Sequence, residues 1–225
     1  MLSKQKTMEA LETMYGMFPE AHGELKHNNP FELLIAVILS AQATDVSVNK
    51  ATPDLFASFP TPDALAEASI DEIILKIKTI GLYRNKAKNI KACAQQLIER
   101  FDGQVPTSRE ELMSLPGVGR KTANVVLGDA FGITAIAVDT HVERVSKRLR
   151  ICKLDATVME VEETLMRKVP QELWVKTHHT LIFFGRYHCT ARNPKCEVCP
   201  LLSICQDGKN RMRLKEKTLK KKRRL

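Results

Sequence analysis

Four thiols, one lysine and one aspartate are the side chains of this sequence whose types and spacing can do chemistry. Cys189-x6-Cys196-x2-Cys199-x5-Cys205 gathers four of the six cysteines within 17 residues, too close for two independent sites and adequate for one four-sulfur site. Zinc and an iron-sulfur cluster share that ligand set. A second stretch, Leu115-Pro116-Gly117-Val118-Gly119-Arg120-Lys121-Thr122-Ala123, joins two helical runs through two glycines. Gly117 and Gly119 permit positive φ and close approach of a ligand to the backbone. The helix that follows opens with unpaired N–H groups at a positive dipole end. Such a seat holds a phosphate without reading base sequence, although an ordinary αα-hairpin uses two glycines in the same way. Asp139 precedes a run of helical period and fits a helix N-cap; a carboxylate held there can also stabilise positive charge developing nearby.

The elements that must position these residues read as helical almost throughout, and no stretch alternates apolar and polar between hairpin signals. The fold class is therefore all-α. Met8, Leu11, Tyr15 and Phe18 give a first helix one apolar face, and Phe31 to Leu39 is apolar on all sides, as a core helix is. Asp45 caps a helix running toward Ala57; Thr61-Pro62-Asp63 and Ser69-Ile70-Asp71-Glu72 open two short ones. A longer helix covers Arg84 to Phe101 and stops at Gly103, and Thr107-Ser108 cap another through Leu115. Lys121 to Ala130 is helical. Ile133 to Val138 is β-branched and reads as an extended connection, after which Asp139 opens a helix to about Arg150. Ala156 to Val169 and Gln171 to Tyr187 are two more, parted by Pro170. Gly81-Leu82-Tyr83-Arg84-Asn85-Lys86-Ala87 shares Gly, Arg and Ala with Gly117 to Ala123; so short a match fits a second hairpin unit and chance similarity equally.

Composition narrows the class. With 225 residues and 44% hydrophobic, the chain buries a real core, which excludes a disordered or fibrous protein. The N-terminal stretch lacks the apolar segment of a signal peptide, and the longest apolar run, Leu33 to Leu39, is too short to cross a bilayer, so the expectation is a soluble, intracellular chain with no membrane partner. In that setting clustered thiols point to metal rather than to disulfides. Of the net charge of +9, eight units lie in Gln206 to Leu225, which holds ten Lys/Arg and two Asp/Glu. A long polyanion such as nucleic acid attracts a tail of this kind by counterion release, and a solvated, disordered tail explains it as simply.

LPGVGRKTANVVL followed by AVDTHVERV resembles the helix-hairpin-helix DNA glycosylases, and among them most of all the endonuclease III family. The likeness continues through FELLIAVILSAQATDVSVNKA (Phe31 to Ala51), IKTIGLY (Ile77 to Tyr83) and the terminal cysteines, covering nearly all but the two ends. It implies two helical lobes with a DNA cleft between them. One is a six-helix barrel domain with the helix-hairpin-helix motif over 23–133; the other is an iron-sulfur cluster domain from 1–22 plus 134–207, followed by a basic, disordered tail over 208–225. It implies a 4Fe-4S cluster on Cys189, Cys196, Cys199 and Cys205 in preference to zinc, with no chemical step for the cluster, because base excision needs no electron transfer. It implies a nucleophile at Lys121 and a catalytic aspartate at Asp139. An amine attacks only when uncharged, and Arg120 beside it and the positive helix end both oppose a second charge there.

The implied activity is that of a bifunctional glycosylase and abasic-site lyase. It removes oxidised or ring-saturated pyrimidines from double-stranded DNA through a lysine Schiff base, then breaks the strand 3′ to the abasic site by β-elimination. Such an enzyme extrudes the nucleotide it attacks. Gln42 is the family-matched residue for the orphaned base, and Leu82 the matched wedge. Gly117, Gly119, Arg120 and His141 are candidates for phosphate contact, as are Arg186, Arg192 and Lys195 around the cluster loop. A monomer associated with the nucleoid in the cytoplasm completes the expectation. Two rivals stand beside it: a monofunctional adenine-mismatch glycosylase, which has the cluster but lacks the hairpin lysine, and a non-enzymatic helix-hairpin-helix module with a structural metal.

Overall fold

The computed structural model describes the backbone of residues 1–222 and the side chains of residues 1–218, so the side chains of the terminal KKKRRL lie outside the described residues. Every regular element among the described residues is a helix, in keeping with the all-α expectation. The chain forms two compact units, one from Gly23–Ala135 and one from Met1–His22 with Ile136–Leu225.

The Gly23–Ala135 unit holds α2 (Pro30–Ser40), α3 (Asp45–Ser58), α4 (Pro62–Glu67), α5 (Ile70–Ile77), α6 (Tyr83–Phe101), α7 (Arg109–Met113) and α8 (Arg120–Phe131). Phe31 to Leu39 are all buried, and α3, α6 and α8 pack against α2. Each large apolar side chain removed from water there contributes about 1.5–3 kcal/mol. Asn29, Thr61, Ser69 and Ser108 cap the helices that follow them by accepting a backbone N–H, and Ser69 completes a capping box with Glu72. One cap differs from expectation: Thr44, not Asp45, accepts the Ser47 N–H, at 3.2 Å. Asp45 is instead the first helical residue, where its charge still favours the dipole end. The long helix α6 stops as expected, with Asp102 and Gly103 at φ 51° and 72° and the Gly103 N–H reaching back to the Leu97 carbonyl.

The other unit holds α1 (Lys4–Met17), α9 (Thr140–Arg148), α10 (Val158–Lys168), α11 (Trp174–Phe183) and α12 (Gln206–Lys222). Its separate core includes Leu11, Met14, Val142, Val145, Val161, Leu165, Leu181 and Phe184. Ile133 to Val138 is neither helix nor strand, a connection between α8 and α9. The expected single helix from Gln171 to Tyr187 is broken into a 3-10 turn (Gln171–Leu173), α11, and a π turn (Phe184–His188) that ends on Cys189.

The tail differs most from expectation. Composition points to disorder beyond residue 208, yet Gln206 to Lys222 is helical. Local anchors explain this: the Gly208 N–H donates to Cys205 Sγ at 3.3 Å, Asp207 pairs with Arg211 at 2.6 Å, and Lys215 pairs with Glu197. Charge composition registers the cost of folding a basic segment but not these attachments. Among the described residues no helix is long and apolar enough to cross a membrane.

Candidate active site and metal centre

The hairpin between α7 and α8 is shaped by its glycines in two different ways. Gly117 has φ 81°, and a Cβ there would lie 3.1 Å from both Ile38 Cγ2 and Asn89 Cβ, so any side chain would be strained by the backbone and crowded by α2 and α6. Gly119 departs from expectation: its φ is −93°, ordinary extended backbone. A Cβ at Gly119 would meet nothing within 4 Å. Protein packing therefore leaves the space beside Gly119 open, and this residue begins α8 with no side-chain cap. The helix start is thus open, with neither a side-chain cap nor a side chain at Gly119 beside it. Arg120 is half-buried and Lys121 exposed at the first two positions of α8.

Asp139 is the N-cap of α9. Its Oδ1 accepts the backbone N–H groups of His141 and Val142, both at 2.8 Å. His141 is in turn gripped by Arg144, whose Nη2 lies 3.1 Å from His141 Nδ1 and donates to the Gly185 carbonyl at 2.8 Å. Gly185 is buried in the π turn, and a Cβ added to it would come within 2.8 Å of His141 Cβ. The backbone of the π turn therefore touches the start of α9 because residue 185 has no side chain.

All four clustered cysteines border one small cavity, with Leu149, Phe184, His188 and Gly208. Burial pushes the Cys196, Cys199 and Cys205 thiols up, and the neighbouring thiols push them further in the same direction. Thiols so placed gain by exchanging protons for a cation. Among the described residues no group of three or more His, Cys, Asp or Glu side chains closes to the spacing of ligands on a single ion. Four thiols lining one cavity supply the ligand set of a four-thiolate site, a 4Fe-4S cluster or a zinc ion. Arg148 ties this loop down: it donates to the carbonyls of Thr190 at 2.8 Å and Ala191 at 2.7 Å, and its Nη1 lies 3.4 Å from Cys189 Sγ. Arg186 is half-buried in the π turn, while Arg192 and Lys195 are exposed.

Gln42 and Leu82 are both exposed and both adopt positive φ, 54° and 60°. Only four non-glycine residues do so among the described residues. Left-handed backbone costs a non-glycine residue about 1–2 kcal/mol, and such strain concentrates at working loops.

Gln42, Leu82, Gly117, Gly119, Arg120 and Lys121 lie in the Gly23–Ala135 unit; Asp139, His141, Arg186, Arg192, Lys195 and the four cysteines lie in the other. Sequence reasoning missed Arg144, Arg148 and Gly185. A lone arginine on a helix resembles any solvated charge, and no local pattern marks a glycine needed only for contact with a distant segment.

Residues 35–171 match the model of the HhH-GPD superfamily base excision DNA repair proteins, and residues 189–205 match that of the iron-sulfur binding domain of endonuclease III. The chain is 56% identical to endonuclease III of Bacillus subtilis over 94% of its own length and 96% of that protein's. It is 49% identical to endonuclease III of Escherichia coli K12, over 91% and 97%. A solved structure of a trapped endonuclease III–DNA covalent intermediate superimposes with a TM-score of 0.92 at 58% identity, covering 94% of this chain and all of the other. With four thiols around one cavity and an uncapped hairpin helix bearing a lysine, the chain belongs to the endonuclease III family of base excision DNA repair enzymes.

Proposed function

We propose that Lys121 is the nucleophile of this DNA glycosylase and abasic-site lyase, and that Asp139 stabilises the positive charge that develops on the sugar. The observation that carries this reading is the exposed Lys121 at the open end of α8, beside a phosphate seat that no side chain fills. A target phosphate bound there brings its sugar near the amine. Nζ bonds to C1′ as the bond from C1′ to the base breaks, and the base departs with a proton. Ring opening gives an iminium, loss of a C2′ proton follows, and the C3′–O bond breaks with release of the 3′ phosphate. The covalent intermediate trapped for a similar endonuclease III supports a covalent route.

The substrate is double-stranded DNA carrying oxidised or ring-saturated pyrimidines, or abasic sites. Gln42 and Leu82 enter the duplex when the nucleotide is extruded. Gly117, Gly119, Arg120, His141, Arg186, Arg192 and Lys195 contact phosphates. Cys189, Cys196, Cys199 and Cys205 hold the 4Fe-4S cluster, which orders the loop between them. The chain works as a monomer on the chromosome, in the cytoplasm at the nucleoid.

Borohydride reduction of the iminium tests the central assignment. Wild-type protein incubated with damaged duplex is expected to yield a covalent adduct, and Lys121→Ala none. An adduct formed by Lys121→Ala at wild-type yield would mean that another residue is the nucleophile.

A further inference from the structure

We propose that His188 is a positioning residue of the iron-sulfur centre, its Nε2–H donating a hydrogen bond to a cluster sulfur and raising the reduction potential; the proposal rests on the four-cysteine 4Fe-4S assignment above. His188 is 7% exposed, and its Nε2 is buried with no hydrogen-bond partner among the described residues. A buried polar atom left unpaired costs free energy, so a native fold supplies it with a partner. His188 borders the same cavity as the four cysteines, and Asp207 supplies the carboxylate on that wall. Asp207 Oδ2 is already engaged: it accepts from Arg211 Nε at 2.6 Å and lies 3.6 Å from Arg148 Nε. Sulfur is the acceptor that remains. A neutral imidazole with its proton on Nε2 donates there, whereas a bare Nε2 would set a lone pair against anionic sulfur.

The local fold holds the ring at that wall. His188 closes the π turn, in which the Cys189 N–H reaches the Phe184 carbonyl five residues back at 2.6 Å, and the Lys195 N–H donates to the His188 carbonyl at 3.0 Å. The imidazole lies against the Phe184 ring, with centroids 5.0 Å apart and planes 31° from parallel, and Phe184 borders the cavity as well. A turn widened by one residue re-aims the side chains that follow, and π turns recur at functional sites. Two other N–H groups already meet sulfur here. Gly208 N–H donates to Cys205 Sγ at 3.3 Å, and Arg148 Nη1 lies 3.4 Å from Cys189 Sγ. His188 adds a donor from a third segment. An N–H aimed at sulfur stabilises the more electron-rich state of a cluster, which is why such a donor raises its reduction potential.

Voltammetry of the iron-loaded full chain, with the electrode supplying the electron, tests the proposal. His188→Leu keeps bulk at the wall and removes the donor. It is expected to shift the one-electron equilibrium about tenfold toward the oxidised cluster, a potential lower by about 59 mV. His188→Gln, whose amide N–H can stand in for Nε2–H, is expected to recover most of that shift. Pulsed EPR of the paramagnetic cluster, in protein grown with nitrogen-15 histidine, is expected to show a histidine nitrogen coupling in the wild type and none in His188→Leu. Three results overturn the proposal: a wild type without that coupling, a His188→Leu potential equal to the wild type's, or equal losses in both variants. The first is read on the wild type, so it decides even where a variant fails to hold iron. Failure of the cluster assignment has a different signature: purified wild-type protein would then contain zinc in place of iron, and the donor would fall with it.

Discussion

Arg144 and His141 fix each other. A guanidinium has donors only, so the 3.1 Å contact between Arg144 Nη2 and His141 Nδ1 makes Nδ1 the acceptor. The ring proton then sits on Nε2, which turns the free edge of His141 into a donor, the polarity that a phosphate oxygen requires. Nitrogen-detected NMR of the imidazole is expected to show protonated Nε2 and bare Nδ1 in the wild type. A ring protonated on Nδ1 alone would remove the pairing and the donor role with it.

The capping role of Asp139 and the catalytic role proposed for it are separable. An asparagine accepts the His141 and Val142 N–H groups as aspartate does, with little change in helix stability. Asp139→Asn is therefore expected to keep the melting temperature and DNA affinity of the wild type while single-turnover base excision falls on the order of a hundredfold or more. Asp139→Ala should lose about 1 kcal/mol of stability as well. Wild-type excision by the asparagine variant would leave Asp139 as a cap alone.

Gly185→Ala tests the contact between the π turn and α9. The new methyl would sit 2.8 Å from His141 Cβ, and relieving such overpacking costs about 1–3 kcal/mol. Thermal unfolding should shift down by several degrees, and the His141 ring signals should move. If neither changes, the two segments do not press on each other in solution.

Lys86 is buried, its Nζ has no hydrogen-bond partner, and burial pushes its amine below the ordinary lysine value. The unfolded chain therefore holds a proton that the folded chain releases. Stability rises with pH from the lowered folded value toward the unfolded value of about 10.4. Lys86→Met, which keeps the shape and removes the charge, is expected to raise the melting temperature at neutral pH. Its advantage over wild type should shrink as the pH climbs through that window. A less stable variant, or a difference that ignores pH, would point to an interaction that the lysine makes in solution.

What could be read from the sequence was whatever depends on neighbours along the chain. Thr61, Ser69, Ser108 and Asp139 cap their helices because a short polar side chain before an apolar run has few other uses. The all-apolar Phe31 to Leu39 segment announces its burial in the same way. The features that escaped depend on distant partners. The π turn at Phe184–His188 is matched to a glycine contact with residue 141, and Arg148 meets carbonyls 41 to 43 positions away. The basic tail shows the same limit from the other side: its net charge was plain, but the partners that fold its first turns, Cys205 and Glu197 among them, are visible only in space.

The backbone at Gln42 and Leu82 carries a consequence for how such an enzyme adapts to heat. Each residue holds a conformation that glycine would adopt at lower energy, so replacing either one is an easy route to a more heat-resistant molecule. That route would discard the side chain proposed to enter the opened helix. Thermal tolerance gained at these two positions would be traded against base excision, so laboratory selection on melting temperature alone is expected to drift toward durable proteins that no longer repair.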